Sequence, residues 1–198
     1  MTDASFSELN SIIKKEADVL LFEKGLFDTL GFFGTPHVSG SYSLELMTWR
    51  DLDIYLEVEN ISVTHFFELG GRICSALIPS KMNFRNELLA KTKGLPSGLY
   101  WGIYLGNERA GAWKIDVWAV EPRECRRLIG YCDKVKNALT PETILMIMDI
   151  KSHCWKDPEY RKLYTSIDIY TAVLDYGVID LGGFKNYLRN KQETEASH

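Results

Sequence analysis

The sequence predicts an α+β fold: a mixed, mostly antiparallel sheet of about four or five strands backed by helices, then a C-terminal helical region from about residue 122. Three observations carry this expectation. Asp51-Leu52-Asp53-Ile54-Tyr55-Leu56 alternates polar and apolar side chains, the period of a strand with one covered face. Two apolar runs, Leu99 to Leu105 and Ala112 to Val120, flank Gly106-Asn107-Glu108-Arg109-Ala110-Gly111, which is a hairpin signal. Beyond Glu121-Pro122 the remaining pattern is helical throughout.

In chain order, Ser5 with Glu8 resembles a capping box, and Leu9, Ile12, Ile13, Leu20, Leu21 and Leu26 recur at helical intervals. A long N-terminal helix interrupted near Gly25 is expected. Gly31, Gly34, Pro36 and Gly40 punctuate a turn, a short strand and a tight loop. Thr64 to Leu77 reads as a helix, and the Pro, Lys and Gly-containing stretch up to Gly98 reads as irregular. The pairs Phe32-Phe33 and Phe66-Phe67 are assigned to the core. In the last third, Pro122 and Pro141 suit first helical turns, Thr140 and Asp157 suit N-caps, and Gly177 suits a helix stop. A frayed tail is expected after Asn190. The natural division is residues 1–121 as a catalytic-sized domain with its N-terminal helix, and residues 122–198 as a helical region packed on it.

Bulk properties exclude several function classes. Hydrophobic residues make up 45% and charged residues 25%, so the chain can bury an ordinary core. The net charge is -4, and Lys and Arg run no further than pairs such as Lys14-Lys15 and Arg126-Arg127. An extended nucleic acid is therefore not an expected partner, because phosphate neutralisation needs a concentrated basic surface. The sequence has no signal-peptide pattern and no long apolar run, which implies a cytoplasmic protein that does not engage a membrane. Cys74, Cys125, Cys132 and Cys154 are widely spaced and are read as reduced thiols, with Cys125 and Cys132 on one helix face. A zinc site is not expected, since no closely spaced pair of ligands accompanies His153-Cys154. His37 and His65 lack a nucleophile arrangement and are assigned to packing or exposure.

The chemistry concentrates in Gly40-Ser41 and Asp51-Leu52-Asp53-Ile54, with nine residues between Ser41 and Asp51, and later in Ile115-Asp116-Val117. Carboxylates at i and i+2 of a strand share a face and repel unless a cation neutralises them. Hard oxygen ligands of this kind suit Mg²⁺, which keeps several waters and shares its remaining positions with phosphates. The Gly-Ser turn supplies backbone N–H groups and a hydroxyl for phosphate oxygens. Together these residues predict a metal–triphosphate site. If Leu105 pairs with Gly111, or nearly so, Ile103 meets Trp113, Trp101 meets Ile115 and Leu99 meets Val117 on the core face. The other face then carries Tyr100, Gly102 and Tyr104 beside Lys114, Asp116 and Trp118. Tyr100 and Trp118 are expected to flank the acceptor or base, and Lys114 to contact phosphate, against the alternative of ordinary sheet packing. Arg50 points to the opposite face, where a salt link and a phosphate contact are equal expectations, and Arg72 and Arg85 are assigned to solvated faces.

This ordered set of Gly40-Ser41, Asp51-x-Asp53 and Asp116 resembles the signature of DNA polymerase β-like nucleotidyltransferases, over about residues 30 to 120. The resemblance implies the nucleotidyltransferase fold and a transfer using two Mg²⁺ ions held by Asp51 and Asp53. Asp116 would complete the catalytic metal and activate the acceptor hydroxyl, and Gly40 and Ser41 would hold the NTP phosphates. In small members the C-terminal helices close over the site and set acceptor choice. Acidity and size then favour transfer of NMP, AMP by default, to a hydroxyl of a small molecule such as an antibiotic. Two other readings stand beside it: a minimal nucleotidyltransferase of toxin–antitoxin type acting on a protein or tRNA, and a noncatalytic nucleotide-binding module. The apolar set Ile144, Leu145, Ile147, Met148 and Ile150 suits either a bundle core or a homodimer contact.

Overall fold

A computed structural model describes residues 3–196. Helix α1 (Asp3–Asp18) continues through a π-helical turn, Val19–Glu23, and the helical run breaks at Gly25 before α2 (Leu26–Gly31). Ser5 lies inside α1 and not at its cap. The strands are β1 (Thr35–Ser39), β2 (Asp51–Glu57), β3 (Lys81–Asn86), β4 (Gly98–Tyr104) and β5 (Lys114–Val120). They form one sheet in the order β1-β2-β5-β4-β3. The pairs are antiparallel except β2 with β5, which run parallel. Between strands lie the short turn helix α3 (Gly40–Ser43), α4 (Val63–Leu77) and α5 (Glu87–Ala90).

One face of the sheet is dry. Leu52, Ile54 and Leu56 of β2, with Ile103, Ile115 and Val117, are fully buried beneath α1, α2 and α4. Their alternation with Asp51, Asp53, Tyr55 and Glu57 turns the carboxylates to the other face. Tyr100, Trp118 and Cys125 form a smaller apolar cluster there with Tyr55, Leu128 and Ile129, covered by α6 (Pro122–Ala138). The C-terminal region continues with α7 (Pro141–Cys154), α8 (Ser166–Tyr176) and α9 (Leu181–Ala196). Its core of Ile147, Ile150, Ile169 and Phe184 also takes in Phe6, Leu44 and Leu46 from the first third of the chain.

Several local expectations hold. Pro122 and Pro141 occupy first turns, Thr140 caps α7 with a reciprocal capping box, and Gly177 ends α8. Others are corrected. Lys81–Asn86 is a strand, because Met82 and Phe84 alternate with polar residues and Phe84 packs on Trp101 at 5.3 Å. The β4–β5 register differs from expectation by two residues: Trp101 meets Val117 and Ile103 meets Ile115. The connection is two residues longer than expected, Leu105 N–H donating to the Trp113 carbonyl, because Glu108–Ala110 coils into a 3₁₀ turn. An even shift preserves which side chains share a face. Asp157 caps no helix: it accepts from the Glu159 N–H and the Tyr164 hydroxyl, and Thr165 caps α8. Beyond Asn190 the helix runs on to Ala196, and the last two residues lie outside those described. Phe32 and Phe67 are exposed, although Phe66 is core.

Candidate active site

Parallel pairing of β2 with β5 sets Asp53 directly opposite Asp116 and Asp51 opposite Lys114. Gly40 turns the chain immediately after β1, at φ 59°, and a Cβ there would stand 2.2 Å from Asp53 Oδ2. Only glycine combines that left-handed backbone with so close an approach. Thus the Gly-Ser turn lies against Asp53, on the side of the sheet that carries all three carboxylates.

Electrostatics divides the acids. Burial raises the Asp53 pKa, and repulsion from Asp51 and Asp116 adds to it, bringing the group to about 7. Asp51 is also disfavoured by burial, but Lys114 and Arg161 outweigh that cost and hold it below the usual carboxylate range. The Arg161 guanidinium is 2.8 Å from Asp51 Oδ2 and 2.7 Å from Glu108. The Lys114 ammonium pairs with Asp116 and lies 3.8 Å from Asp51 Oδ1. Burial opposes charge on Lys114, yet Asp116 and Asp51 keep its pKa raised. Asp51 Oδ1 is shielded from solvent and has no hydrogen-bond partner.

Two cationic groups that sequence reasoning did not single out complete the site. Lys151 of α7 is wholly buried, and its Nζ donates to Ser41 Oγ at 2.6 Å, the Leu46 carbonyl at 2.7 Å and Tyr170 Oη at 3.3 Å. Burial depresses its pKa to about 7 against the pull of Asp51 and Asp53. The signal was a lysine three and four residues after Met148 and Ile147, on the apolar face of the helix, where a buried amine is otherwise costly. Arg161 arrives from the loop 155–165, at φ 67°. Arg109 straps that loop to the 3₁₀ turn by donating to the carbonyls of Trp155 at 2.8 Å and Asp157 at 3.2 Å. No periodic pattern marks Arg161 in the sequence.

The remaining expected residues have definite places. The Tyr100 hydroxyl donates to Asp116 Oδ1 at 2.7 Å. Its ring lies 4.7 Å from Trp118, and both are more than nine-tenths buried. Gly102 makes room for the Tyr100 side chain, since a Cβ at Gly102 would come within 2.4 Å of the hydroxyl. Arg50 is bound bidentately to Glu16 at 2.5 and 2.7 Å, away from the carboxylates. Arg72 covers the Phe32 and Phe33 rings, and Arg85 pairs with Glu87. A cavity of about 460 Å³, lined by Phe32, Phe33, Val58, Ile61, Phe66 and Arg72 among others, contains none of the site's carboxylates. The gap among Trp49, Lys114 and Arg161 is about 20 Å³.

The residues fit a divalent cation. Three carboxylates share one sheet face, Asp51 Oδ1 is buried without a hydrogen-bond partner, and burial with repulsion from Asp51 and Asp116 disfavours charge on Asp53, which a cation would relieve.

No protein-family model and no curated protein matches the sequence. Solved structures do. One, described as a cytoplasmic RNA terminal U-transferase, is 14% identical with a TM-score of 0.50, covering 87% of this chain and 51% of its own. Another, a poly(U) polymerase described with Mg and 3'-dATP bound, is 14% identical with a TM-score of 0.52, covering 88% of this chain and 56% of its own. The chain thus spans about half the length of the structures it matches. Together with the mixed sheet, these likenesses show that the chain has a nucleotidyltransferase fold.

Proposed function

We propose that the chain transfers a nucleotide from a Mg²⁺-bound NTP to a hydroxyl group, with AMP the default nucleotide and a small molecule, such as an antibiotic, the acceptor. The observation that carries this reading is the placement of Asp51, Asp53 and Asp116 on one sheet face, with the Gly40-Ser41 turn against Asp53. Asp51 and Asp53 would hold two Mg²⁺ ions, with Asp116 on the catalytic one; bound there, the metal supplies charge stabilisation of the attacking and leaving oxygens. Every other role belongs to the chain's own groups. Ser41 and the Gly40 backbone hold the β and γ phosphates, and Lys151, already donating to Ser41 Oγ, adds a positive charge beneath them. Triphosphate binding restores the ammonium form of Lys151, whose pKa otherwise lies at about 7. Asp116, oriented by the Tyr100 hydroxyl, accepts the proton of the acceptor hydroxyl. Lys114 turns from Asp116 toward phosphate, and the Tyr100 and Trp118 rings support the wall beside the acceptor.

A nucleotide needs a cavity of roughly 300 Å³ or more, so the 155–165 loop, held by Arg161 and Arg109, must lift from the 20 Å³ gap beneath it. A second reading, transfer to the 3′ hydroxyl of an RNA, is supported by what the two solved structures are described as doing. The net charge of -4 and the lack of a basic run favour the small acceptor.

The test is Mg²⁺-dependent pyrophosphate release from each NTP with aminoglycosides, lincosamides or short RNA as acceptor. Release that depends on a small acceptor and vanishes in Asp53→Ala supports the leading reading. Release with RNA alone replaces the acceptor, and NTP binding without release from any mixture leaves a noncatalytic module.

A further inference from the structure

Ligand spacing along the sequence pointed to no zinc site, but topology brings three potential metal ligands together at one edge of the sheet. Val120, the last residue of β5, pairs with Glu57, the last of β2, and α6 begins two residues later at Pro122. The first turn of α6 therefore returns directly over Glu57 and delivers Cys125. On the other side of β2, His37 pairs with Tyr55 and Thr35 with Glu57, so His37 is the diagonal neighbour of Glu57 on the same face. The His37 ring, the Glu57 carboxylate and the Cys125 sulfur each present a ligand atom, all within 4.8 Å of one another. His37 Nε2 is shielded from solvent and makes no hydrogen bond, and it stands 3.7 Å from Glu57 Oε2. That separation is too long for a hydrogen bond but near the spacing of two ligands on one metal ion.

We propose that His37, Glu57 and Cys125 bind a Zn²⁺ ion, with water in the fourth position, as a clip joining β1, β2 and α6. One nitrogen, one oxygen and one sulfur ligand suit a borderline-soft, tetrahedral cation and not Mg²⁺. Bonds of about 2.0 to 2.3 Å place tetrahedral ligands roughly 3.5 Å apart, so small rotations of the three side chains close the site. Four residues of strand, about 13 Å, separate Glu57 from Asp53, which makes this site distinct from the carboxylate triad. The inference does not depend on nucleotide transfer. Its consequence is mechanical: the ion would fasten the first helix after residue 121 to the edge of the sheet that carries the triad.

The experiment loads the full chain with Zn²⁺, removes the excess, and counts retained metal by atomic emission. Co²⁺ loading then reports a thiolate-to-metal charge-transfer band in the near ultraviolet. About one Zn²⁺ per chain is expected, retained in Asp53→Asn and weakened roughly tenfold or more in both Cys125→Ser and His37→Gln, with the Co²⁺ band lost in Cys125→Ser. Should Cys125→Ser fail to fold, as judged by circular dichroism, His37→Gln on the partly exposed edge strand decides alone. Failure of the wild type to retain zinc overturns the proposal. So does retention that survives His37→Gln, or that disappears in Asp53→Asn, which would place the ion in the triad.

Discussion

Asp53 is a buried carboxyl beside two other acids, and its ionisation works against the fold. Its pKa of about 7 in the folded chain exceeds the ordinary carboxylate value, so the folded state holds a proton that the unfolded state has released. Stability tied to this group is therefore full below about pH 4 and is lost as pH rises to about 7. Asp53→Asn should raise the melting temperature of the metal-free protein at pH 8, by a gain on the order of 2 kcal/mol that fades toward pH 4. Thermal melts across that range check the sign, and a constant gain would mean the proton is not held there. Mg²⁺ affinity should run the other way, rising with pH through about 7 as Asp53 ionises, as calorimetric titration would show. Gly40→Ala should cost about 1 kcal/mol or more and lower transfer roughly a hundredfold, because its Cβ would displace the Asp53 carboxylate; steady-state rates at saturating NTP check it. The acids and Gly40 were readable in the sequence because a strand and a tight turn confine them to short spacings. Lys151 and Tyr170 were not, since their partner Ser41 lies 110 and 129 positions away.

Among elements, the alternation in β2 was the most legible feature, for it needs only a two-residue period and one buried face. β3 was obscured by Lys81, Asn83 and Arg85, polar residues that an edge strand can leave toward water. The loop 155–165 was opaque for a different reason: its order comes from Arg109 and Arg161, whose partners lie on other segments. Arg161 keeps a left-handed backbone while its side chain occupies Asp51 and Glu108. This ion pair competes with any cation for Asp51. Arg161→Ala should therefore tighten Mg²⁺ binding to the nucleotide-free protein severalfold, measured by titration at fixed pH, and unchanged affinity would show that the guanidinium does not compete.

At the scale of the molecule, the division at residue 121 marks where sheet gives way to helices, but the packing crosses it. Phe6, Leu44 and Leu46 complete the C-terminal core, and Lys151 of α7 reaches back to Ser41 and the Leu46 carbonyl. A chain ending at residue 121 should expose those apolar side chains, melt in a broad, low transition and bind no NTP, as calorimetry and nucleotide titration would show. Separate cooperative melting of residues 1–121 with NTP binding intact would refute this coupling. The parallel pairing of β2 with β5 has one more effect. After Glu57 the chain leaves β2 at one end of the sheet, and β5 begins at Lys114 beside Asp51, at the other. Residues 58–113 between them carry α4 and the strands β3 and β4, and β4 pairs along the whole of β5, so this segment helps to hold Asp116 opposite Asp53. Insertions in the loops of this segment, outside β3 and β4, can remodel the surroundings of the carboxylates while the carboxylates stay in register, which makes those loops the natural place to graft new specificity.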